Sequence, residues 1–382
     1  MKKICFLISA LILLISCESG IIVSIENPSN FDRLEIVEIS VEKLMTLPSG
    51  KSFVVTKNNE KIMPSQLTYD GKLIFQVDIK AGETMSYVIK TGAPVTFQTK
   101  TYGRFITERK DDFAWENDRV AFRIYGPALI SVDGPSNGID FWYKKTNNMI
   151  IDKWYKDDIE GVRSYHDDHG EGLDDYKVGR TLGGGMMAPL VNDSLVLNEN
   201  FVKQEIFENG PLRTTFKLTY KDITVNEKTF NESRIFSIDA GSQMTKVTQE
   251  YGTNDELTVA VGIVKRAKDD QAYTAYTDNG AAAVLYEEPF SEKVGKVFVG
   301  IVVPTGIEKA ISNTYTITHS ITKQEETHSH VLAIKTYYPG NPVTYYTGYG
   351  WDKFGYPTLN EFQNYIAYFA MALEEPLIIK IP

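Results

Sequence analysis

Short stretches in which apolar and polar residues alternate constrain the fold of this 382-residue chain more than any other feature. The run Ile21-Ile-Val-Ser-Ile is followed by the turn-forming residues Asn27-Pro-Ser-Asn and then by Leu34-Glu-Ile-Val-Glu-Ile. Residues 73–79 and 85–90 continue the pattern. A period of two, bounded by Asn, Pro, Ser and Gly, is typical of half-buried antiparallel strands. We therefore predict that the chain begins with β-structure.

The same kind of run recurs almost to the C-terminus, so we predict an all-β fold, a large antiparallel β-sandwich. One short C-terminal helix is expected over residues 358–373, where Phe362, Ile366, Phe369 and Leu373 recur at helical spacing, followed by a last strand. We expect a single domain over 17–382, with a lead-in sheet at 21–95, site-bearing loops at 96–185 and the main sandwich at 186–382. Further strands are predicted at 118–125, 138–144, 202–207, 212–220, 225–238, 257–264, 296–302, 315–321 and 330–337.

The N-terminus has the features of a bacterial export signal. Lys2 and Lys3 precede an apolar run that is too short for a confident membrane span and that ends in Leu14-Ile-Ser-Cys. This ending resembles a lipobox, so residues 1–16 are predicted to be a lipoprotein signal peptide and Cys17 to carry the lipid. The alternative is an ordinary signal peptide that happens to contain a cysteine. We expect a lipid-anchored protein in the periplasm or at the outer membrane.

The charge balance excludes one class of partner. Removal of residues 1–16 would leave 38 basic against 50 acidic side chains, and such an acidic chain does not suit the phosphates of a nucleic acid. The Gly-rich loops of nucleotide enzymes and the nucleophile motifs of serine and cysteine hydrolases are absent from the sequence. An anionic sugar is still a possible ligand, because a local cluster of basic residues can bind it although the net charge of the chain is negative.

Residues 102–185 concentrate the chemistry of the chain, and Tyr165-His-Asp-Asp-His-Gly-Glu-Gly is the sharpest motif within them. Imidazole suits proton transfer near neutral pH, so His166 and His169 are candidate acid or base residues. A divalent metal at His166, His169 and Glu171 is the less favoured alternative, and we expect no cofactor. The motif is also compatible with a solvated acidic loop.

Candidate residues for holding a sugar lie on both sides of this motif. Downstream, Arg180 could hold a carboxylate or sulfate with two hydrogen bonds, and Tyr176 or Lys177 could move a proton. Upstream, an aromatic face and neighbouring charges could hold a sugar ring, although the tryptophan could equally be core and the charges a structural ion pair. That upstream group comprises Arg104, Arg109, Trp115, Glu116 and Arg119, and Lys153 with Trp154 invites the same reading.

Several long motifs resemble a family of exported Bacteroidota proteins that is catalogued as a domain of unknown function and encoded in polysaccharide-utilisation loci. They are Tyr102-Gly-Arg-Phe, Glu108-Arg-Lys-Asp-Asp-Phe-Ala-Trp-Glu-Asn-Asp, Gly138-Ile-Asp-Phe-Trp, Tyr165-His-Asp-Asp-His-Gly-Glu-Gly-Leu-Asp-Asp-Tyr-Lys-Val-Gly and Asn209-Gly-Pro-Leu-Arg. The resemblance implies a galactose-mutarotase-like β-supersandwich. It also implies an oligosaccharide dehydratase, of the ulvan type, that removes water from a non-reducing-end uronic acid and leaves a 4,5-unsaturated sugar. It implies no residue roles.

Such an elimination needs a cation to neutralise the carboxylate, a base for the C5 proton and an acid for the leaving C4 hydroxyl. From the residue chemistry alone we assign the cation to Arg180 with Arg104 as a second candidate, and the base to His166. The acid would be Tyr165, Tyr176 or His169, and the stacking platforms Trp115 and Trp154. Two alternatives stay open. One is a glycoside hydrolase using a carboxylate pair among Glu116, Asp168 and Glu171, and the other is a non-catalytic sugar-binding lipoprotein.

Overall fold

The structure is a computed structural model, and it describes residues 20–58, 61–266, 273–278 and 280–382. The predicted signal peptide and Cys17 lie outside these ranges. Among the described helices, none has the length and apolar character needed to cross a membrane.

Antiparallel strands dominate the described residues, which confirms the all-β prediction. The first half contains β1 (Ile21–Glu26), β2 (Arg33–Ser40), β3 (Ser52–Lys57), β4 (Lys61–Met63), β5 (Ser65–Leu67), β6 (Lys72–Ile79), β7 (Thr84–Gly92), β8 (Thr101–Ile106), β9 (Asp112–Asn117), β10 (Ala121–Ile124), β11 (Asp140–Lys144), β12 (Gly172–Asp174), β13 (Gly184–Val191) and β14 (Ser194–Leu195). The second half contains β15 (Lys203–Asn209), β16 (Arg213–Thr219), β17 (Ile223–Val225), β18 (Lys228–Phe230), β19 (Glu232–Asp239), β20 (Met244–Tyr251), β21 (Leu257–Lys265), β22 (Tyr273–Asp278), β23 (Ala281–Glu287), β24 (Val297–Val303), β25 (Lys309–Thr318), β26 (Glu325–Tyr337), β27 (Val343–Trp351) and β28 (Ile378–Lys380). The helices are α1 (Ile130–Asp133), α2 (Ile151–Ile159) and α3 (Leu359–Glu374), and short 3-10 turns span Val41–Leu44 and Pro127–Leu129.

The first strands build a small sandwich of their own. A five-stranded sheet of order β28-β1-β7-β3-β4 faces a three-stranded sheet of order β2-β6-β5. Every second residue of these strands enters a separate apolar core, for example Val23 and Ile25 from one sheet and Val37, Phe75 and Val77 from the other. Where the sequence suggested one lead-in sheet, two sheets therefore pack face to face, and the last strand of the chain returns to complete the larger one.

A larger sandwich follows, built on an eight-stranded sheet of order β15-β16-β19-β20-β27-β24-β23-β22. Two five-stranded sheets, β12-β11-β10-β9-β8 and β14-β13-β21-β26-β25, share one large apolar core with this sheet. Aromatic rings join the layers: the Trp115 ring lies 5.1 Å from Phe216 and 5.3 Å from Phe236, centroid to centroid. We call β8 to β12 the outer sheet, because it positions the candidate site.

The predicted C-terminal helix is confirmed as α3. Thr358 caps its N-terminus, and the side chain of Glu361 returns the hydrogen bond in a capping box. The helix packs through Phe362 and Ile366 on the face of the eight-stranded sheet opposite the large core. A Cβ at Gly350 would lie 2.5 Å from the Phe362 ring, so glycine is required for this close approach.

Two predictions about secondary structure were wrong. Residues 147–185, predicted to be loops, contain α2, whose nine residues are fewer than the 11–18 over which helical periodicity is normally recognised. The strand predicted at 225–238 is divided among β17, β18 and β19. Asn226 and Glu227 adopt φ values of 50° and 65° and make the tight hairpin turn between β17 and β18, and Asn231 separates β18 from β19.

Candidate active site

The outer sheet has one apolar face and one charged face because neighbouring strand residues point in opposite directions. Phe113, Trp115, Phe122 and Phe141 enter the large core. The alternate positions carry the buried charges Asp112, Glu116, Arg123, Asp140, Lys144 and Asp174, beneath α2 and Tyr165. Burial of a charged group is costly unless the group is paired. The ion pairs on this face therefore determine which of its charged groups are free to act on a ligand.

Glu116 has a structural role. Its carboxylate lies 2.7 Å from the Lys144 Nζ, and both side chains are fully buried. The same carboxylate accepts hydrogen bonds from the backbone N–H groups of Ile150 and Ile151 at the start of α2. Its expected role in substrate binding is therefore corrected: Glu116 is sealed beneath α2, and its ion pair is with Lys144 rather than with Arg119.

At the other end of this face, one guanidinium joins two carboxylates. The Arg123 Nη2 lies 2.5 Å from Asp140 Oδ2 and 2.7 Å from Asp174 Oδ2, and the Tyr125 hydroxyl donates to Asp140 at 3.1 Å. Burial, reinforced by the neighbouring Asp174 carboxylate, raises the pKa of Asp140 to about 7. Burial also raises the pKa of Asp174. This network can share a proton close to neutral pH.

His166 connects the buried network with solvent. Its Nδ1 lies 3.0 Å from the Asp174 carbonyl oxygen and 3.6 Å from the Asp174 carboxylate, while 56% of the side chain is exposed. Donation from Nδ1 to the carbonyl leaves Nε2 as the basic nitrogen of the neutral ring. The Asp174 carboxylate would stabilise the imidazolium once Nε2 has taken a proton. The arrangement suits a general base.

A phenol and a second guanidinium lie beside this histidine. The Tyr165 ring contacts His166 at 4.6 Å and stacks on Trp142 at 5.0 Å, centroid to centroid. Tyr165 is only 5% exposed, but it borders a depression that is open to solvent, and its hydroxyl lies near Arg109. Arg109 in turn pairs with Asp112 at 3.1 Å and keeps about a quarter of its side chain exposed. The structure thus brings a base, a phenol and a cation together. The sequence indicated Arg109 only as one of the charges around Trp115 that could hold a sugar, and not as the cation of the elimination.

A shallow depression is bordered by Tyr165 together with Lys153, Trp154, His169 and Glu171. Lys153 pairs with Glu171 at 2.7 Å, and His169 is exposed at the rim. Trp154 is only 6% exposed and stacks on Trp142 at 5.4 Å, so the expectation that it offers a broad face to a sugar is corrected.

The metal alternative finds no support in the geometry of the described residues, which contain no group of three His, Cys, Asp or Glu side chains arranged to bind an ion. His166 turns toward Asp174 instead, and Glu171 toward Lys153 and the Trp154 indole N–H.

Other expected site residues lie elsewhere. Trp115 is fully buried in the aromatic core, and its indole N–H donates to Thr245, so it cannot stack on a sugar. Tyr176 is also buried, with the Arg266 guanidinium 4.3 Å from its ring centroid, and burial raises its pKa well above the ordinary value. Its expected role as an acid at the His166 site is corrected, because its ring lies among the core residues of the sandwich.

The expected cations are also separated from His166. Arg180 donates to the carbonyl oxygens of Leu197 and Asn198 and borders a different cleft, near His319. Arg104 is paired with Glu108 and Asp152, each at 2.6 Å. Lys177 is exposed. We therefore replace Arg180 and Arg104 by Arg109, which lies near Tyr165 and keeps part of its side chain exposed.

Comparison with known sequences gives one family and one relative. The family described as "Domain of unknown function (DUF4861)" matches residues 25–379. A protein of Formosa agariphila named "Uncharacterized protein P7" is 31% identical over 382 aligned residues, which cover 94% of this chain and 91% of that protein.

Comparison with solved structures gives more distant likenesses. A protein in glycosyl hydrolase family 38 and an α-mannosidase, both from Enterococcus faecalis, each match 95% of this chain at 8% identity, with TM-scores of 0.43 and 0.38. The chain spans about half the length of these two proteins. A heparan sulfate lyase HepC mutant from Pedobacter heparinus matches 69% of the chain at 8% identity, with a TM-score of 0.31.

Proposed function

The chain belongs to the DUF4861 family, and we propose that it is a carbohydrate-active dehydratase that removes water from a non-reducing-end uronic acid. The product would be a 4,5-unsaturated sugar at the end of an acidic oligosaccharide, within polysaccharide degradation. The observation that carries this proposal is the pairing of the exposed His166 imidazole, through Nδ1, with Asp174.

In the proposed reaction, Arg109 binds the uronate carboxylate and stabilises the enediolate that forms when C5 loses its proton. Nε2 of His166 takes that proton. The electron pair of the C5–H bond forms the C4–C5 double bond as the C4–O bond breaks, and Tyr165 donates a proton so that the hydroxyl leaves as water. The three groups are side chains of the chain itself, so we propose no cofactor.

Carboxylate positions favour this reaction over glycoside hydrolysis. Hydrolysis would need two accessible carboxyl groups that face the glycosidic bond, and one of them would need a raised pKa to act as the acid. Glu116 is fully buried. The Lys153 ammonium lowers the pKa of Glu171. Burial raises the pKa of the Asp168 carboxyl group, but Lys145 and two backbone N–H groups outweigh burial, so that this pKa is lowered overall. None of the three has the environment of a general acid.

We further propose that the mature protein begins at Cys17 and is held by its lipid in the periplasm or at the outer membrane. The apolar run ending in Leu14-Ile-Ser-Cys supports this location. There the chain would meet oligosaccharides released from a larger acidic polysaccharide.

The role of His166 is tested with the His166→Ala protein and saturated uronate-ended oligosaccharides. Because the proposed reaction gives the C5 proton no acceptor other than Nε2, we expect kcat to fall by about 100-fold or more. Turnover is followed by far-ultraviolet absorbance and product mass. The matched control is His319→Ala, which removes a histidine from the turn after β25 and should keep wild-type turnover. Full turnover by the His166→Ala protein would refute the assignment of the base.

A further inference from the structure

A second concave region lies between the two sandwiches, bordered by α3. It consists of two adjoining cavities of about 470 and 380 Å³ that share Arg33, Glu35 and Asp239 in their walls. Both volumes fall within the range of about 300–1,000 Å³ that is usual for sites binding small molecules. We call this region the inter-sandwich groove. None of the residues that we place in the active site lines it.

Arg119 is the cation of the larger cavity, and its backbone is firmly held. It follows Asn117, whose side-chain oxygen accepts hydrogen bonds from the N–H groups of Arg119 and Val120. The Asn117 amide also donates to the carbonyl oxygens of Asp239 and Ser242. Within the described ranges, the Arg119 guanidinium has no hydrogen bond or ion pair, although it lies near Tyr356 and Tyr365. A guanidinium that is left unpaired beside a fixed turn is available to bind an anion.

Aromatic rings form the walls around this cation. Phe31 of the small sandwich stacks on Tyr368 of α3 with centroids 4.6 Å apart, and Tyr368 is 48% exposed. Tyr356 and Tyr365 meet edge to face at 5.5 Å. Phenol rings combine an apolar face with a hydroxyl, so they contact both the C–H face and the hydroxyl groups of a sugar. This combination fits a saccharide better than a purely apolar ligand.

The acidic groups in the walls are neutralised by neighbours. Glu35 pairs with Arg33 at 2.8 Å. Glu38 and Asp239 both pair with Arg213, each at 2.5 Å, and Glu38 also pairs with Lys72 at 2.7 Å. Asp32 pairs with Lys80 at 2.8 Å. Lys246, which borders the smaller cavity, is exposed and has no acidic partner among the described residues. The charge left unpaired in the groove is therefore positive, in a chain whose formal net charge is −10.

We propose that the inter-sandwich groove is a second, non-catalytic binding site for an acidic oligosaccharide. Arg119 binds a carboxylate or sulfate group, the tyrosine rings contact the sugar faces, and Lys246 binds an acidic group further along the same chain. This site goes beyond the proposed function, and it stands on its own geometry whether or not the chain is a dehydratase.

The experiment uses the chain from Ser19 onward with His166→Ala, so that the probe is not consumed. Calorimetry compares a tetragalacturonide with the neutral cellotetraose, and hydrogen exchange locates the protected peptides. We expect the acidic probe to bind more tightly and to protect peptides that contain Arg119 and residues 356–368. Adding Arg119→Ala should weaken this binding about 10- to 100-fold, since a charge-assisted hydrogen bond contributes about 1.5–3 kcal/mol. Arg119→Lys should weaken the binding of the acidic probe less than Arg119→Ala does.

Lys43→Ala is the control for loss of one positive charge, because Lys43 is exposed and lies outside the groove. Added to the His166→Ala chain, Lys43→Ala should leave the affinity for the tetragalacturonide unchanged. Equal affinity of the Arg119→Ala protein, equal binding of both probes, binding without protection around Arg119, or no binding by the parent would each overturn the proposal. In the His166-containing protein, Arg119→Ala should retain turnover of short oligosaccharides. Loss of that turnover would make the groove catalytic and would also overturn the proposal.

Discussion

His166 differs from the nearby His169 in what lies behind its ring. The sequence indicated both as candidates because imidazole chemistry and a Gly-rich loop are visible in the chain itself. It did not reveal that Asp174 lies behind only one of them, nor that Arg123, Asp140 and Asp174 meet, since strand pairing brings together residues up to 51 positions apart.

One wrong expectation about individual residues was avoidable. Trp115 and Glu116 were both expected in the site, yet they are adjacent in β9, and adjacent strand residues face opposite sides of a sheet. Recognition of that strand in the sequence would have allowed only one of the two to face a ligand.

Asp140 gives a prediction for the pH dependence of stability. Its pKa in the folded chain is raised to about 7, whereas a free aspartate titrates near about 4. Between these values the folded chain holds a proton that the unfolded chain has released, so this contribution to stability is lost as the pH rises through about 7. We expect the free energy of unfolding of the wild type, relative to that of Asp140→Asn, to fall by about 1–3 kcal/mol between about pH 5 and about pH 8.

Urea unfolding at each pH measures this difference, and Asp222→Asn, at an exposed aspartate, is the control. A difference between the wild type and Asp140→Asn that does not change with pH would contradict the assigned titration.

At the scale of elements, α2 is held by the outer sheet rather than by its own sequence. Its nine residues are too few for stability in isolation, and its own N-cap residue, Ile150, supplies no capping side chain. The N–H groups at its start are instead satisfied by Glu116, and Trp154 and Tyr155 pack on Trp142. Long strands and the 16-residue α3 could be predicted because their patterns are local, whereas α2 depends on tertiary contacts.

The pairing of Glu116 with Lys144 is therefore testable as an anchor of α2. Glu116→Ala leaves a buried ammonium without its carboxylate and two helix N–H groups without an acceptor. We expect a loss of about 3–5 kcal/mol in the free energy of unfolding, measured in urea. The double variant Glu116→Gln with Lys144→Met removes both charges and keeps an acceptor, so it should recover much of that loss. A Glu116→Ala protein as stable as the wild type would show that the pair does not anchor the helix.

At the scale of the whole molecule, the alternating runs were sufficient to predict antiparallel sheets, but not how the sheets pack. The return of β28 to β1 and the packing of α3 between sandwiches join residues more than 340 positions apart, as in the hydrogen bond from Arg33 to the carbonyl oxygen of Glu375. Such contacts create the inter-sandwich groove, and no local pattern encodes them. The placement of Arg119 there was equally invisible in the sequence.

The most direct test of the proposed dehydration is product analysis with the wild-type chain from Ser19 onward and saturated uronate-ended oligosaccharides. We predict a rise in far-ultraviolet absorbance from the new C4–C5 double bond, together with a product lighter than the substrate by one water. Shorter saturated products, which signify hydrolysis, or unchanged substrate across a panel of uronate ends would contradict the account.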